Sequence, residues 1–166
     1  MADSSPKPGP AERAAGPTID FERGIPFLVS ALGNKLSALA SARVRRELGI
    51  GLMEWRIIAV LAVEAEATPA RIGQVTGVDK SVVSRAAASL EKRGLITIAA
   101  GSARRQTWVG MTAAGLELHA RGIGMAYQSN DALLEGFSPE EREQFSELLR
   151  RATANLPRLE PKRRRS

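Results

Sequence analysis

The residues best suited to chemistry lie between Arg71 and Arg105. Lys80, Ser81, Val82, Ser84, Arg85 and Ser89 fall on the outward side of one short helical stretch, with no acid between Asp79 and Glu91. Hydroxyl, ammonium and guanidinium groups donate hydrogen bonds, and phosphate oxygens and base edges accept them. Several side chains of this face are small, which lets a helix lie close to base edges in a groove ~12 Å wide. A second pair of donors, Arg104-Arg105, sits between two strand-like runs. Adjacent arginines at a hairpin tip suit insertion into a narrow, electronegative minor groove.

The charge is segregated in the same way. The chain carries +6 in all, and from Arg71 to Arg105 seven Lys/Arg face only Asp79 and Glu91, a net +5. Residues 19–70 and 106–161 together hold 11 basic and 14 acidic side chains, and the terminal Lys162-Arg163-Arg164-Arg165 adds +4. A polyanion is drawn to one region and to the tail, not to the protein at large.

Other chemistries are poorly served. The absence of Cys removes disulfides, thiolate metal sites and thiol-based oxidant sensing, and a single His119 leaves no His cluster. No nucleophile–base pairing and no phosphate-cradling Gly loop stand out, so neither an enzyme nor a cofactor is expected. At 166 residues, 43% apolar and 25% charged, the chain has the length and composition of one soluble domain. No apolar run approaches the ~18 residues that span a bilayer, and no basic-then-apolar signal opens the chain. The expected location is cytoplasmic, with no membrane partner.

These side chains need positioning elements. Residues 1–18, rich in Pro, Gly, Ser and Ala, read as a disordered arm. Leu28, Val29, Leu32, Leu36, Leu39, Val44 and Leu48 recur at helical spacing over about 25–48, and Gly49 supplies the stop. Such a helix is ~36 Å long, more than a small domain covers, so part of its apolar face is expected to meet another chain. A second helix follows Gly51, with Trp55 as a core or junction anchor. Thr68 as N-cap and Pro69 at the first position start a third helix to about Thr76, burying Ile72 and Val75. Gly77 breaks it, and Asp79 caps a fourth from Lys80 to Arg93. Two short helices across a Gly-containing turn form a helix-turn-helix. Residues 95–98 and 106–111 alternate as two strands of a wing, which must lean on the helices because two strands alone are not stable. A fifth helix is expected over about 112–135, although Gly115, Gly122 and Gly124 weaken its continuity. Ser138-Pro139-Glu140-Glu141 starts a sixth that reaches about 155. The basic tail occupies 158–166.

In this order the residues resemble the MarR family of bacterial transcription regulators. The resemblance rests on Trp55-Arg56-Ile57-Ile58, Thr68 to Val75, Asp79 to Arg85, Leu90-Glu91-Lys92-Arg93-Gly94-Leu95-Ile96, Arg104-Arg105 and Met111 to Gly115. It implies a mainly α fold with a small β-wing: a winged helix-turn-helix over about 51–111, in a domain spanning 19–157. It also implies a homodimer joined through the first, fifth and sixth helices, with long dimerisation helices at both ends. Its usual role is repression at palindromic operators on double-stranded DNA, relieved by small aromatic or phenolic ligands in a crevice between the lobes. Asn34, Trp55, Arg56, His119 and Tyr127 are the residues expected at that crevice. One departure stands out: the family's wing usually carries an acid just before the two arginines, and here that position is Ala103.

The leading expectation is therefore a ligand-responsive, sequence-specific DNA-binding regulator. Arg104 and Arg105 would enter the minor groove and Ser81, Val82, Ser84 and Arg85 would face the major groove. Lys80 and Arg71 would contact phosphates, with Ser89 on the same surface. An architectural, non-specific DNA binder using the wing and tail is the alternative, and a protein-interaction module is a third reading.

Overall fold

Helix boundaries follow local chemistry in the computed structural model, which describes residues 20–101 and 107–159. The first helix, α1 (Ile25–Leu48), ends where Gly49 turns into the left-handed region at φ +67° and donates its N–H to the Arg45 carbonyl. After it come α2 (Leu52–Glu64) and α3 (Pro69–Thr76). Thr68 caps α3 by accepting the Arg71 N–H through its side chain. Gly77, at φ +68°, closes α3 and frees the chain to turn into α4 (Lys80–Lys92). The wing strands are β2 (Ile96–Ala100) and β3 (Thr107–Met111). Thr112 caps α5 (Ala113–Leu133) and Ser138 caps α6 (Pro139–Asn155), the latter with Glu141 returning a bond to the Ser138 N–H. A 3-10 turn over Leu156–Leu159 follows.

The core is wholly aliphatic apart from Trp55 and Met125, and among the described residues no polar or charged side chain is buried. Ile57, Ile58 and Leu61 of α2, Ile72 of α3, Val83, Ala87 and Leu90 of α4, Ile96 of β2 and Val109 of β3 form its centre. Helix α2 thus runs through the middle of the domain. Helix α4 is buried on one side only.

Several expectations need correction. The sheet has three strands, not two. Glu66–Ala67 forms β1, which pairs antiparallel with β3 on the side away from β2. Two residues are too few to alternate visibly in the sequence, and β1 is reached through Ala65 at φ +59°. Val75 is 49% exposed instead of buried beside Ile72, because an eight-residue helix turns only a narrow stripe inward. Helix α1 does contain an 18-residue window of bilayer-like hydropathy, mean 1.2, none of it buried in this chain. Only Val44 and Leu48 of its apolar face reach the core; Leu28, Val29, Leu32 and Leu39 remain exposed. No residue of α6 is fully buried, and Phe145, packed against Phe137, is half-buried.

Helix α5 runs unbroken through its glycines, and two of them have a packing reason. A Cβ on Gly115 would fall 2.2 Å from the Leu95 carbonyl oxygen and 2.7 Å from Met111 Cγ. One on Gly122 would fall 2.5 Å from the Trp55 ring and 2.8 Å from Leu48 Cδ1. Gly124 has nothing within 4 Å.

Candidate nucleic-acid interface

The outward side of α4 is a short polar surface on a rigid base. Asp79 holds its first turn: Oδ1 accepts the Ser81 N–H at 2.7 Å. Bonds from the Ser81 hydroxyl and then its backbone N–H hold the Asp79 carboxyl below the usual carboxylate range. Lys80, Ser81, Ser84, Arg85 and Ser89 are exposed and Val82 half-buried, whereas Val83, Ala87 and Leu90 lock the opposite side into the core. Asp79 already takes the N–H groups of the first turn, Ser81 through its carboxylate and Val82 and Val83 through its carbonyl, so attraction for an anion on this surface comes from Lys80 and Arg85. The structure therefore brings these six residues together on one solvent-facing helix surface.

Arg71 is differently placed. Its Nε lies 3.0 and 3.2 Å from the two Glu64 carboxylate oxygens, its Nη2 2.6 Å from one of them, and its Nη1 3.2 Å from Gln74 Oε1. The Glu64 carboxylate raises the guanidinium pKa further. Most of its donors are thus already engaged within the chain. Arg104, Arg105 and Ala103 lie outside the described residues, as do residues 1–18 and the Lys162–Arg165 run.

The wing leans on α4 and α5 through polar ties. The Thr112 hydroxyl donates to the Gly94 carbonyl at 2.8 Å, and the Thr112 N–H to the Leu95 carbonyl at 3.2 Å. Glu91 Oε1 accepts the Ile98 N–H at 3.0 Å.

Beside the reading lobe, α1, α2 and α5 enclose a crevice of about 260 Å³, lined by Val44, Leu52, Trp55, Arg56, Arg43 and Met125 among others. Trp55 is buried and stacks on His119, ring centres 5.8 Å apart and planes 13° from parallel. Arg56 Nη2 reaches Ser37 Oγ at 3.4 Å. Of the five residues expected here, Trp55 and Arg56 line the crevice and His119 backs Trp55. Asn34 and Tyr127 are solvent-exposed and outside the crevice.

Sequence reasoning missed Arg43. Its Nη2 donates to Gln128 Oε1 at 2.6 Å, its Nη1 to Ser129 Oγ at 3.1 Å and its Nε to Glu47 at 2.9 Å. That bond holds the Glu47 carboxyl below its ordinary value. Arg43 also lines a wider trough of about 580 Å³ between α1 and α5. A cation at the polar margin of an otherwise apolar helical stripe was the available signal.

A sequence profile of the MarR family matches residues 48–106. Among solved structures, a MarR/EmrR family transcriptional regulator from Acinetobacter sp. ADP1 superposes with a TM-score of 0.79 at 30% identity, covering 85% of this chain and all of that one. A putative MarR family regulator from Listeria monocytogenes, solved with a 26mer DNA, gives a TM-score of 0.74 at 19% identity, over 80% of this chain and 89% of that one. Bordetella bronchiseptica BpsR, whose DNA binding is regulated by 6-hydroxynicotinic acid, gives a TM-score of 0.72 at 19% identity, over 83% and 98%. No curated protein matches the chain.

Proposed function

The chain belongs to the MarR family of transcription regulators, and from that membership we propose that it is a homodimeric repressor that reads a palindromic operator and is released by a small aromatic or phenolic-type acid or thioester. The observation that carries the DNA-reading part is the α4 surface from Lys80 to Ser89: solvent-facing, with small serines around Lys80 and Arg85, no acid between them, and the core behind it. Ser81, Val82, Ser84, Arg85 and Ser89 face the major groove, Lys80 sits on phosphate, and Arg104 and Arg105 enter the neighbouring minor groove. Arg71 contributes a phosphate contact to the extent that Glu64 releases it.

Dimerisation is supported by the bare apolar faces of α1 and α6, which a second copy of the chain would cover. A two-fold dimer places its half-sites about one helical turn apart.

The crevice supports the effector class. Trp55 offers an aromatic wall, and Arg43 and Arg56 offer cations for a carboxylate. 6-Hydroxynicotinic acid, which regulates the related Bordetella protein, has that chemistry. An effector acts only through different affinity for the DNA-competent and incompetent arrangements.

Selection of bound fragments from a genomic DNA library tests the DNA reading and yields the operator. On that operator, Arg105→Ala weakens binding by ~1–3 kcal/mol, and affinity falls steeply with added salt. Unchanged affinity in the variant, or a flat salt dependence, refutes the assignment. Aromatic acids that neither shift the melting temperature nor release the operator refute the effector part alone.

A further inference from the structure

Only two acids interrupt the basic stretch from Arg71 to Arg105, and each accepts a hydrogen bond from a backbone N–H. Asp79 caps the start of α4. Glu91, in its last turn, takes the Ile98 N–H at 3.0 Å. Ile98 sits in the middle of β2, the edge strand of the sheet, so this N–H points away from β3 and has no strand to pair with. Two residues further on, Arg93 Nη1 donates to the Gly49 carbonyl at the end of α1, at 3.1 Å. One turn of α4 is thereby tied to the wing and to the long first helix.

We propose that Glu91 is a positioning residue for DNA recognition: its bond to Ile98 sets the wing against α4, and with it the spacing of the two groove contacts. This rests on the DNA-reading function proposed above. Charge alone argues the other way. A carboxylate among DNA-facing cations repels phosphate, so removing it should strengthen binding. The positioning role predicts the opposite sign, and that separates the two.

The test uses the full chain, Glu91→Ala and Glu91→Gln, whose amide oxygen can still accept the Ile98 N–H. Amide hydrogen exchange is followed on the protein without DNA. Gel shifts at fixed salt use a duplex that the unmodified protein selects from random-sequence DNA. In Glu91→Ala the Ile98 amide exchanges about tenfold faster and the duplex binds about tenfold more weakly, the weight of one hydrogen bond to a charged group. Glu91→Gln stays within about threefold of the unmodified protein on both. Amides of Ile57 and Leu61 in α2 do not change.

Binding by Glu91→Ala as tight as, or tighter than, that of the unmodified protein overturns the proposal. So does an unaltered Ile98 amide. Faster exchange throughout the domain, with no rescue by Glu91→Gln, also overturns it, by showing a general loss of fold. If the unmodified protein selects no duplex, the DNA-reading function itself falls and the positioning role with it; a selected duplex that Glu91→Ala binds unchanged sinks only the latter.

Discussion

Replacing Gly115 by Ala probes the joint where the wing meets α5. The added Cβ would sit 2.2 Å from the Leu95 carbonyl oxygen and 2.7 Å from Met111 Cγ. The methionine can move aside. The carbonyl is harder to displace: it accepts the Thr112 N–H, and the Leu95 N–H is held by the Leu90 carbonyl at the end of α4. Helix propensity favours Ala over Gly by ~1 kcal/mol. Overpacking costs ~1–3 kcal/mol, and an immobile backbone obstacle puts this site at the upper end. The net is a destabilisation of ~2 kcal/mol, or a fall of ~4–8 °C in melting temperature for a chain of this size. Gly124→Ala is the control. Nothing lies within 4 Å of its Cβ position, so propensity acts alone and the melting temperature rises by ~2 °C. Thermal melts followed by circular dichroism measure both, at one protein concentration because the stability of the proposed dimer would depend on it. A Gly115→Ala protein that melts at or above the unmodified temperature would refute the close approach. A Gly124→Ala protein that falls as far as Gly115→Ala would show that helix context, not the carbonyl, sets the response.

Three further outcomes follow from the described contacts. Thr68→Ala removes the α3 cap and lowers stability by ~1 kcal/mol in denaturant titration; no change would mean that Pro69 suffices to start the helix. The Asp79 carboxyl titrates below the usual range, so its contribution is complete above the ordinary Asp value and fades as pH falls through the lowered one. Melts across that acid range should show a loss in the unmodified protein that is missing in Asp79→Ala, and parallel curves would refute it. Because Glu64 holds Arg71, Lys80→Ala should reduce the salt slope of DNA binding by ~1 and Arg71→Ala by clearly less; equal reductions would show that DNA releases the Arg71–Glu64 pair.

The elements most legible in the sequence were those with caps. Thr68-Pro69, Asp79, Gly94, Thr112 and Ser138-Pro139 each announce a boundary through one local hydrogen bond or one permitted φ, and each lies where the structure begins or ends a helix. The polar side of α4 was legible too, because burial of Val83, Ala87 and Leu90 fixes which residues point outward. What escaped depends on distant partners. Strand β1 exists only because β3 runs beside it. Arg43 belongs to the crevice because Gln128 and Ser129, more than 80 residues away in sequence, meet it there. Gly115 and Gly122 read as weak points in a helix, and only the packing of Leu95 and Trp55 shows why the positions are bare.

The two tryptophans divide the molecule between them. Trp55 lies buried on α2 against His119 and walls the crevice, whereas Trp108 is half-buried on β3 in the wing. With no other indole in the chain, its near-ultraviolet emission is a two-channel optical record. Replacing Trp108 by Phe leaves a fluorophore that reports on the crevice alone, and Trp55→Phe, which keeps an aromatic ring at the crevice wall, leaves one that reports on the wing. With the proposed effector in stopped-flow mixing, the two proteins would show separately whether the crevice and the wing respond, and in which order, without any external label.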